Sequence, residues 1–449
     1  MEPLIKAEDE VPQITQRLIQ FDTSNYGDGS GPGETLAAEY CANLLAEVGI
    51  PVVTVEPFPG RTSIVARIPG ADASRPALVL HGHTDVVPAE ASDWTHPPFS
   101  GEIHQGMIWG RGAVDMKGMD AIILSVIRQF ARDGIKPARD VIVALFADEE
   151  AGGVQGSQWL ADYRPELFAG ATEAVSEVGG FSIPVAGKRV YLLQTAEKGL
   201  NWLRLIANGS AGHGSAVNKD NAVANLAGAL NRITDHQWPI QLNSATFALL
   251  SGIARLTGLP FDVTSETDPA VNSDKAREQI AALTASLGSA EKFVAATTRS
   301  YANPTGLSAG YKVNVIPSQA TATLDVRPLP GQAEAVLSEL AKLAGPGITL
   351  ETIHQDIGLE APVDSPIVTA MIAALKWADP EAEVLPYCLA AGTDNKALAR
   401  IGIAGYGFSP LQLPADLDFT GLFHGVDERV PISALQFGTR VLSYFLQNC

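Results

Sequence analysis

The sequence predicts an α/β protein: a first domain built on a mainly parallel central sheet, interrupted by an inserted α+β domain. Three observations predict it. The first half of the chain alternates short continuous apolar runs with helical segments, the pattern of strands buried on both faces of a parallel sheet. Near Glu197 the pattern changes to period-two alternation, as in NWLRLIANG (201–209), which marks strands with one exposed face. From about residue 357 the first pattern returns. The 449 residues are also about three times a typical domain length, too many for a single core. Residues 1–196 and 357–449 are therefore the two parts of the first domain, and 197–356 the insertion.

The elements follow in order. Residues 8–20 and 34–48 carry helical spacing of apolar residues. VVTVEPF (52–58), SIVARI (63–68) and ALVL (77–80) read as strands, 116–134 as a helix, and VIVALFA (141–147) as a buried strand. EAVSEVGG (173–180) is another short strand running into a turn. Inside the insertion, 201–209 and KVNVIPSQATATLDVRP (312–328) alternate, with helices expected at 220–235 and 331–343. The stretch 240–306 is polar and weakly periodic, with helix expected in part of it. EVLPY (383–387) and AGYGF (404–408) read as strands and 431–446 as a closing helix.

Charge excludes some functions. Thirty-one basic against 50 acidic residues give a net charge of −19, which repels phosphate backbones and anionic membranes, so no nucleic-acid or membrane partner is expected. An 18% charged and 46% hydrophobic composition is not that of a disordered acidic protein. The first dozen residues lack a signal-peptide pattern, and no apolar run approaches the roughly 18 residues that span a bilayer. Cys41, Cys388 and Cys449 have no short-range pairing and read as reduced thiols, so a soluble, cytoplasmic protein is expected.

Four motifs carry chemistry. In ALVLHGHTDVVP (77–88) an apolar strand delivers His81, His83 and Asp85 with a period of two, hence on one face. Imidazole is a common ligand for divalent metals, and a neighbouring carboxylate can fix its tautomer. In WGRGAVDMKG (109–118) Asp115 ends a glycine-rich turn before a helix, where by itself it would read as a helix cap. VIVALFADEEAGG (141–153) ends a buried strand in Asp148, Glu149 and Glu150, and EAVSEVGG delivers Glu177 to a Gly-Gly turn.

Parallel α/β sheets place their sites at the carboxyl ends of strands, so these groups converge. Uncompensated buried carboxylates are strongly disfavoured, and a pair of divalent cations offsets the charges of Asp115, Glu150 and Glu177. Mixed oxygen and imidazole ligands suit Zn²⁺, Co²⁺ or Mn²⁺. The further histidine that each metal would need is best supplied by His424, in GLFHGVDERVP (421–431).

Taken in order, HGHTDVVP, GRGAVDMKG, ADEEAGG, SEVGG, GHGSA, GTDNKALAR and HGVDERV resemble the aminoacylase family of co-catalytic zinc hydrolases. That family includes acetylornithine deacetylase, succinyl-diaminopimelate desuccinylase, carnosinase-type dipeptidases and glutamate carboxypeptidases. The resemblance runs from about residue 8 to 446. It implies a zinc-exopeptidase-like catalytic domain with a ferredoxin-like lid and dimerisation domain. Two divalent ions per subunit, most readily Zn²⁺, would be held by His83, His424, Glu150 and Glu177, with Asp115 bridging. Glu149 would be the general base and Asp85 would orient His83, leaving His81 behind the site.

The resemblance further implies that His213 reaches the neighbouring subunit's site in a homodimer formed through the lid. Asn314 and Arg327 would hold the carboxylate of a small substrate, with Gly392 and Thr393 contacting it through the backbone. Lys396 stands where close aminoacylases often have Arg, which turns a two-pronged contact into a point charge. The implied reaction is amide hydrolysis by a metal-activated water. The family tends to have Glu at the position of Glu177 in acylases and Asp in peptidases, which favours N-acyl amino acids; the alternative is a dipeptidase or carboxypeptidase. A serine nucleophile at Gly306–Gly310 (GLSAG) is disfavoured because alternating strand text, not a helix, follows it.

Overall fold

The computed structural model describes residues 5–449. The strand Ala77–His83 is buried along its whole length. It pairs in parallel with Val141–Phe146 on one side and Ala171–Ser176 on the other, and Ala404–Gly407 extends the parallel set. The hairpin Val53–Phe58 and Arg61–Ile68 closes one edge in antiparallel sense. Toward the other edge, the buried strand Lys188–Glu197 pairs antiparallel with Ala404–Gly407 and parallel with Glu383–Leu389. Among the described residues the sheet has ten strands, parallel at its centre.

Alternation decides what covers each face. Leu78 and Leu80 face a layer containing helices Ala7–Ile19, Lys117–Asp133 and Ile432–Asn448, which pack against one another. Val79, with Ile142 and Ala144, faces the opposite layer, where Leu160 and Leu398 lie on helices Ser157–Tyr163 and Asn395–Ala399. His81 and His83 have the parity of Val79, so the strand delivers them toward that second layer.

The inserted segment forms a separate four-stranded antiparallel sheet in the order Tyr301–Ala309, Gln319–Arg327, Leu200–Asn208, Ile348–Asp356. Helices Ala222–Asp235 and Ala333–Ala344 cover it through Leu226, Ile233, Val336 and Leu340. This chain order is the ferredoxin-like split βαβ arrangement. Gln319–Arg327 alternates buried and accessible residues, as period two requires. The text 312–328 is broken into Val315–Ile316 and Gln319–Arg327.

The stretch 240–306 contributes helices Ser244–Thr257, Asp274–Ala285 and Glu291–Ala295 and the strand Tyr301–Ala309. Its helices bury Leu249, Leu250, Ile253, Ile280 and Leu283 in the cluster that also contains Leu192, Leu385 and Tyr387 of the central sheet. Gly252 allows a close approach, since a Cβ there would run into the Leu385 side chain. Tyr301–Ala309 is an edge strand whose accessible residues show no alternation and whose register shifts between Pro304 and Gly306, which hides it from pattern reading. Ser308 lies in this strand rather than on a strand–turn–helix elbow. All three cysteines are buried and free. Among the described residues, no helix is long and apolar enough to cross a membrane.

Candidate metal centre

Each central strand ends in a residue of the predicted cluster. His83 closes Ala77–His83, the 3₁₀ turn Glu149–Ala151 follows Val141–Phe146, and Glu177 follows Ala171–Ser176. Asp115 lies in the turn before helix Lys117–Asp133, and His424 in the loop before the short strand Arg429–Pro431.

Two buried carboxylates shape these loops. Glu428 accepts the backbone N–H groups of Gly112 (3.0 Å), Val114 (2.7 Å) and Asp115 (2.9 Å), and pairs with Arg111 at 2.9 Å. It thereby fixes the turn that presents Asp115. Asp85 accepts the N–H groups of Glu149 and Glu150, each at 3.1 Å, and the Asn25 amide at 2.9 Å. Asn25 also donates to Asp148 and accepts from Arg61, which pairs with the buried Glu34.

The side chains meet closely. His83 Nε2 lies 3.1 Å from Asp115 Oδ1, 3.6 Å from Glu177 Oε2 and 4.0 Å from Glu149 Oε2. His424 Nε2 lies 3.3 Å from Asp115 Oδ2 and 3.1 Å from Glu150 Oε2. Asp115 thus stands between the two imidazoles, one oxygen toward each. The other ring nitrogen of His83, Nδ1, is 3.0 Å from the Asp85 carbonyl oxygen and 3.5 Å from its carboxylate, so the backbone is the nearer partner. His81 sits behind, 2.9 Å from Asn395 Oδ1, with its pKa pulled down to about 4 by burial.

Electrostatics tests whether these residues fit a cation. Burial, then the Asp115 charge, pushes the Glu177 carboxyl up to about 8. Burial likewise holds Glu149 well above the carboxylate range, helped by Glu177 and Asp394. Hydrogen bonds to Asp115 and Glu150 raise His424 to about 10. Burial alone would lower His83, but the Glu177 charge and the bonds to Asp115 and Asp85 carry it well above its ordinary value. With protein charges alone, then, the cluster draws protons onto both imidazoles and onto carboxyls. Divalent cations would supply the same positive charge. Two overlapping groups, His83–Glu149–Glu177 and His83–Asp115–Glu150, each bring one donor atom per residue within 4.8 Å of the others. Oxygen and imidazole donors at this density can hold divalent metal ions.

The cluster opens into a cavity of about 300 Å³ lined by Asp115, Glu149, Glu150, Glu177 and His424. Arg327, Gly392, Thr393 and Lys396 also line it. Arg327 is forked onto Asp325 through Nε (2.7 Å) and Nη2 (3.0 Å). The Thr393 amide and hydroxyl both donate to buried Glu197, and Lys396 Nζ lies 3.5 Å from the same carboxylate. His213 and Asn314 are not brought here. They are exposed residues on the lid, where the His213 ring meets Ser215 and the Asn314 carbonyl accepts the Gly214 N–H.

Several residues that shape or line this site carry no clear mark in the sequence. Glu428 was legible only as an acid near His424, because its partners lie more than 300 positions away. The Asn25–Arg61–Glu34 network lies in text with no motif. Asp394, which lines the cavity and accepts a hydrogen bond from Ser157, was signalled only by its place inside GTDN.

The family model "Peptidase family M20/M25/M40" matches residues 79–448. The chain is 29% identical over 455 residues to N-fatty-acyl-amino acid synthase/hydrolase PM20D1 of Mus musculus, covering 98% of this chain and 87% of that one. It is 27% identical over 412 residues to Aminoacylase-1 of Homo sapiens, covering 89% and 86%. The crystal structure of the M20 family metallo-carboxypeptidase Sso-CP2 from Sulfolobus solfataricus shares the fold, with a TM-score of 0.74 at 20% identity, covering 98% of this chain and 99% of that one. The matched residues contain all of the histidine–carboxylate cluster, and the chain belongs to the M20/M25/M40 peptidase family, hydrolytic enzymes acting on amide bonds.

Proposed function

We propose that this enzyme hydrolyses the amide bond of N-acyl amino acids that carry a free carboxylate. The observation that carries the reading is the opening of the His83–Asp115–Glu177 and His424–Glu150 cluster into a cavity that also exposes Arg327 and Lys396. A glutamate rather than an aspartate at position 177, and two relatives named for N-acyl amino acid chemistry and aminoacylase activity, support that substrate class.

Two divalent ions, Zn²⁺ being the best suited and Co²⁺ or Mn²⁺ next, would be held by His83 and Glu177 on one side and His424 and Glu150 on the other, with Asp115 between. When bound they supply Lewis acidity toward the scissile carbonyl and make water available as a nucleophile near neutral pH. Glu149 takes the proton of the attacking water and returns it to the departing nitrogen. Its burial, which favours the protonated carboxyl, suits a residue that holds a proton between two transfers. Asp85 keeps His83 and the Glu149–Glu150 turn in register.

Arg327 and Lys396 place positive charge for the substrate carboxylate, while Gly392 and Thr393 offer backbone groups; Asn314, outside the cavity of its own chain, would offer its side-chain amide from a neighbouring subunit. His213 stabilises the oxyanion of a neighbouring subunit's substrate in a lid-mediated homodimer. Its exposure, outside the cavity of its own chain, supports an action in trans. The test is a hydrolysis panel of N-acyl amino acids, dipeptides and C-terminal glutamate conjugates with Zn²⁺, Co²⁺ and Mn²⁺. Preferential cleavage of N-acyl amino acids is expected; preferential dipeptide or C-terminal cleavage would replace this reading with a dipeptidase or carboxypeptidase.

A further inference from the structure

The helices of the 240–306 stretch do more than cover the central sheet. The short helix Glu291–Ala295 is anchored by Val294, which is fully buried, while its neighbour Phe293 is half-buried and lines the cavity beside the cluster. Phe293 is tied to the site by a chain of aromatic contacts. Its ring centroid lies 5.6 Å from Tyr387 and 6.3 Å from Phe181. Phe181 packs 5.0 Å from Phe419, and Phe419 5.4 Å from Phe423. The Tyr387 hydroxyl donates to the Val178 carbonyl, fixing the residue that follows Glu177. Phe423 immediately precedes His424, and both Val178 and Phe423 line the cavity with Phe293.

Phe293, Val178 and Phe423 thus each give apolar surface to the one cavity, and two of them are chain neighbours of cluster residues. The scissile carbonyl must lie at the cluster, so the group attached to it has this surface within reach. The cationic groups suited to the substrate carboxylate, Arg327 and Lys396, come from other elements. Half-buried aromatic rings in a cavity gain by burying further apolar area against a ligand.

We infer that Phe293, delivered by the inserted helix, is a specificity-determining residue that with Val178 and Phe423 forms a subsite for apolar acyl groups longer than acetyl. This rests on the N-acyl amino acid reading above. It is tested by measuring kcat/KM for N-acetyl, N-butanoyl and N-octanoyl derivatives of one amino acid. The native enzyme should favour the longer chains. Phe293→Ala should lower the octanoyl-to-acetyl ratio roughly tenfold or more, with the N-acetyl value within about twofold of native, since each methylene in an apolar pocket discriminates by about that factor. Phe293→Leu should restore most of the ratio, which a mere folding defect would not. An equal loss on all three substrates, or an unchanged ratio in Phe293→Ala, overturns the subsite while leaving the N-acyl reading intact. Cleavage of dipeptides with no turnover of any N-acyl amino acid overturns the functional reading itself.

Discussion

Glu428→Gln offers a sharp test of how the metal cluster is built. Both carboxylate oxygens of Glu428 are committed: Oε1 accepts from Val114 and Asp115, Oε2 from Gly112 and Arg111. A glutamine keeps one oxygen, so two acceptor contacts are lost and an NH₂ group faces the donors that made them. Arg111 is left buried without its counter-charge, a change that costs about 3–5 kcal/mol when a buried pair is broken. Because two of the four donors flank or belong to Asp115, the loss should also reach the metals. A change behind a ligand typically weakens metal affinity about 10–100-fold. Burial pushes the Glu428 carboxyl up to about 7, against the pull of Arg111, so the comparison belongs near pH 8, where the native side chain is ionised. Competition with a chromophoric chelator measures the affinity. An affinity within about twofold of native would refute the claim that Glu428 positions Asp115.

Three further outcomes are expected. Glu149→Ala should keep its fold and bind metal yet lose nearly all turnover; near-native kcat would remove Glu149 from the role of base. His213→Ala should be nearly inactive alone but regain activity when its subunits are mixed with those of Glu149→Ala, because in the proposed homodimer each mixed pair rebuilds one complete site; no recovery would argue against action in trans. Lys198 is buried, donates to the carbonyls of Ala296 and Arg299, and has its pKa lowered by burial to about 7. The unfolded chain therefore binds the extra proton between about pH 7 and the ordinary lysine value of 10.5, and stability should rise with pH across that window. Urea midpoints of the native protein and Lys198→Met should diverge in favour of the native protein from pH 7 to about pH 9.5; a constant gap would contradict the shift.

The cluster was legible because buried strands announce themselves and their carboxyl ends carry unusual residues. A run such as ALVL followed by HGHTD has few other readings, and His83, Glu149, Glu150 and Glu177 all lie just where such runs stop. What could not be read was tertiary. Glu428 and Asp115 are joined across 313 positions, and Asn25 and Asp85 across 60, by hydrogen bonds that leave no periodic trace. The helices of 240–306 looked like part of the insertion because they lie inside it in sequence; their apolar faces instead find the central sheet. The edge strand Tyr301–Ala309 was hidden because both faces are accessible and Pro304 and Gly306 interrupt it. Strand Lys188–Glu197 is buried along most of its length yet carries Glu197, a charged residue whose partners Thr393 and Lys396 only the fold supplies.

The most direct test of the central claim is to strip the protein of metal with a chelator and titrate Zn²⁺ back while following hydrolysis of an N-acyl amino acid. The account predicts negligible turnover without metal and a rise that saturates when two ions are bound per chain, with Glu149→Ala binding the same number and hydrolysing nothing. Undiminished hydrolysis in the metal-free protein, or a saturated cluster that turns over no N-acyl amino acid, would contradict it.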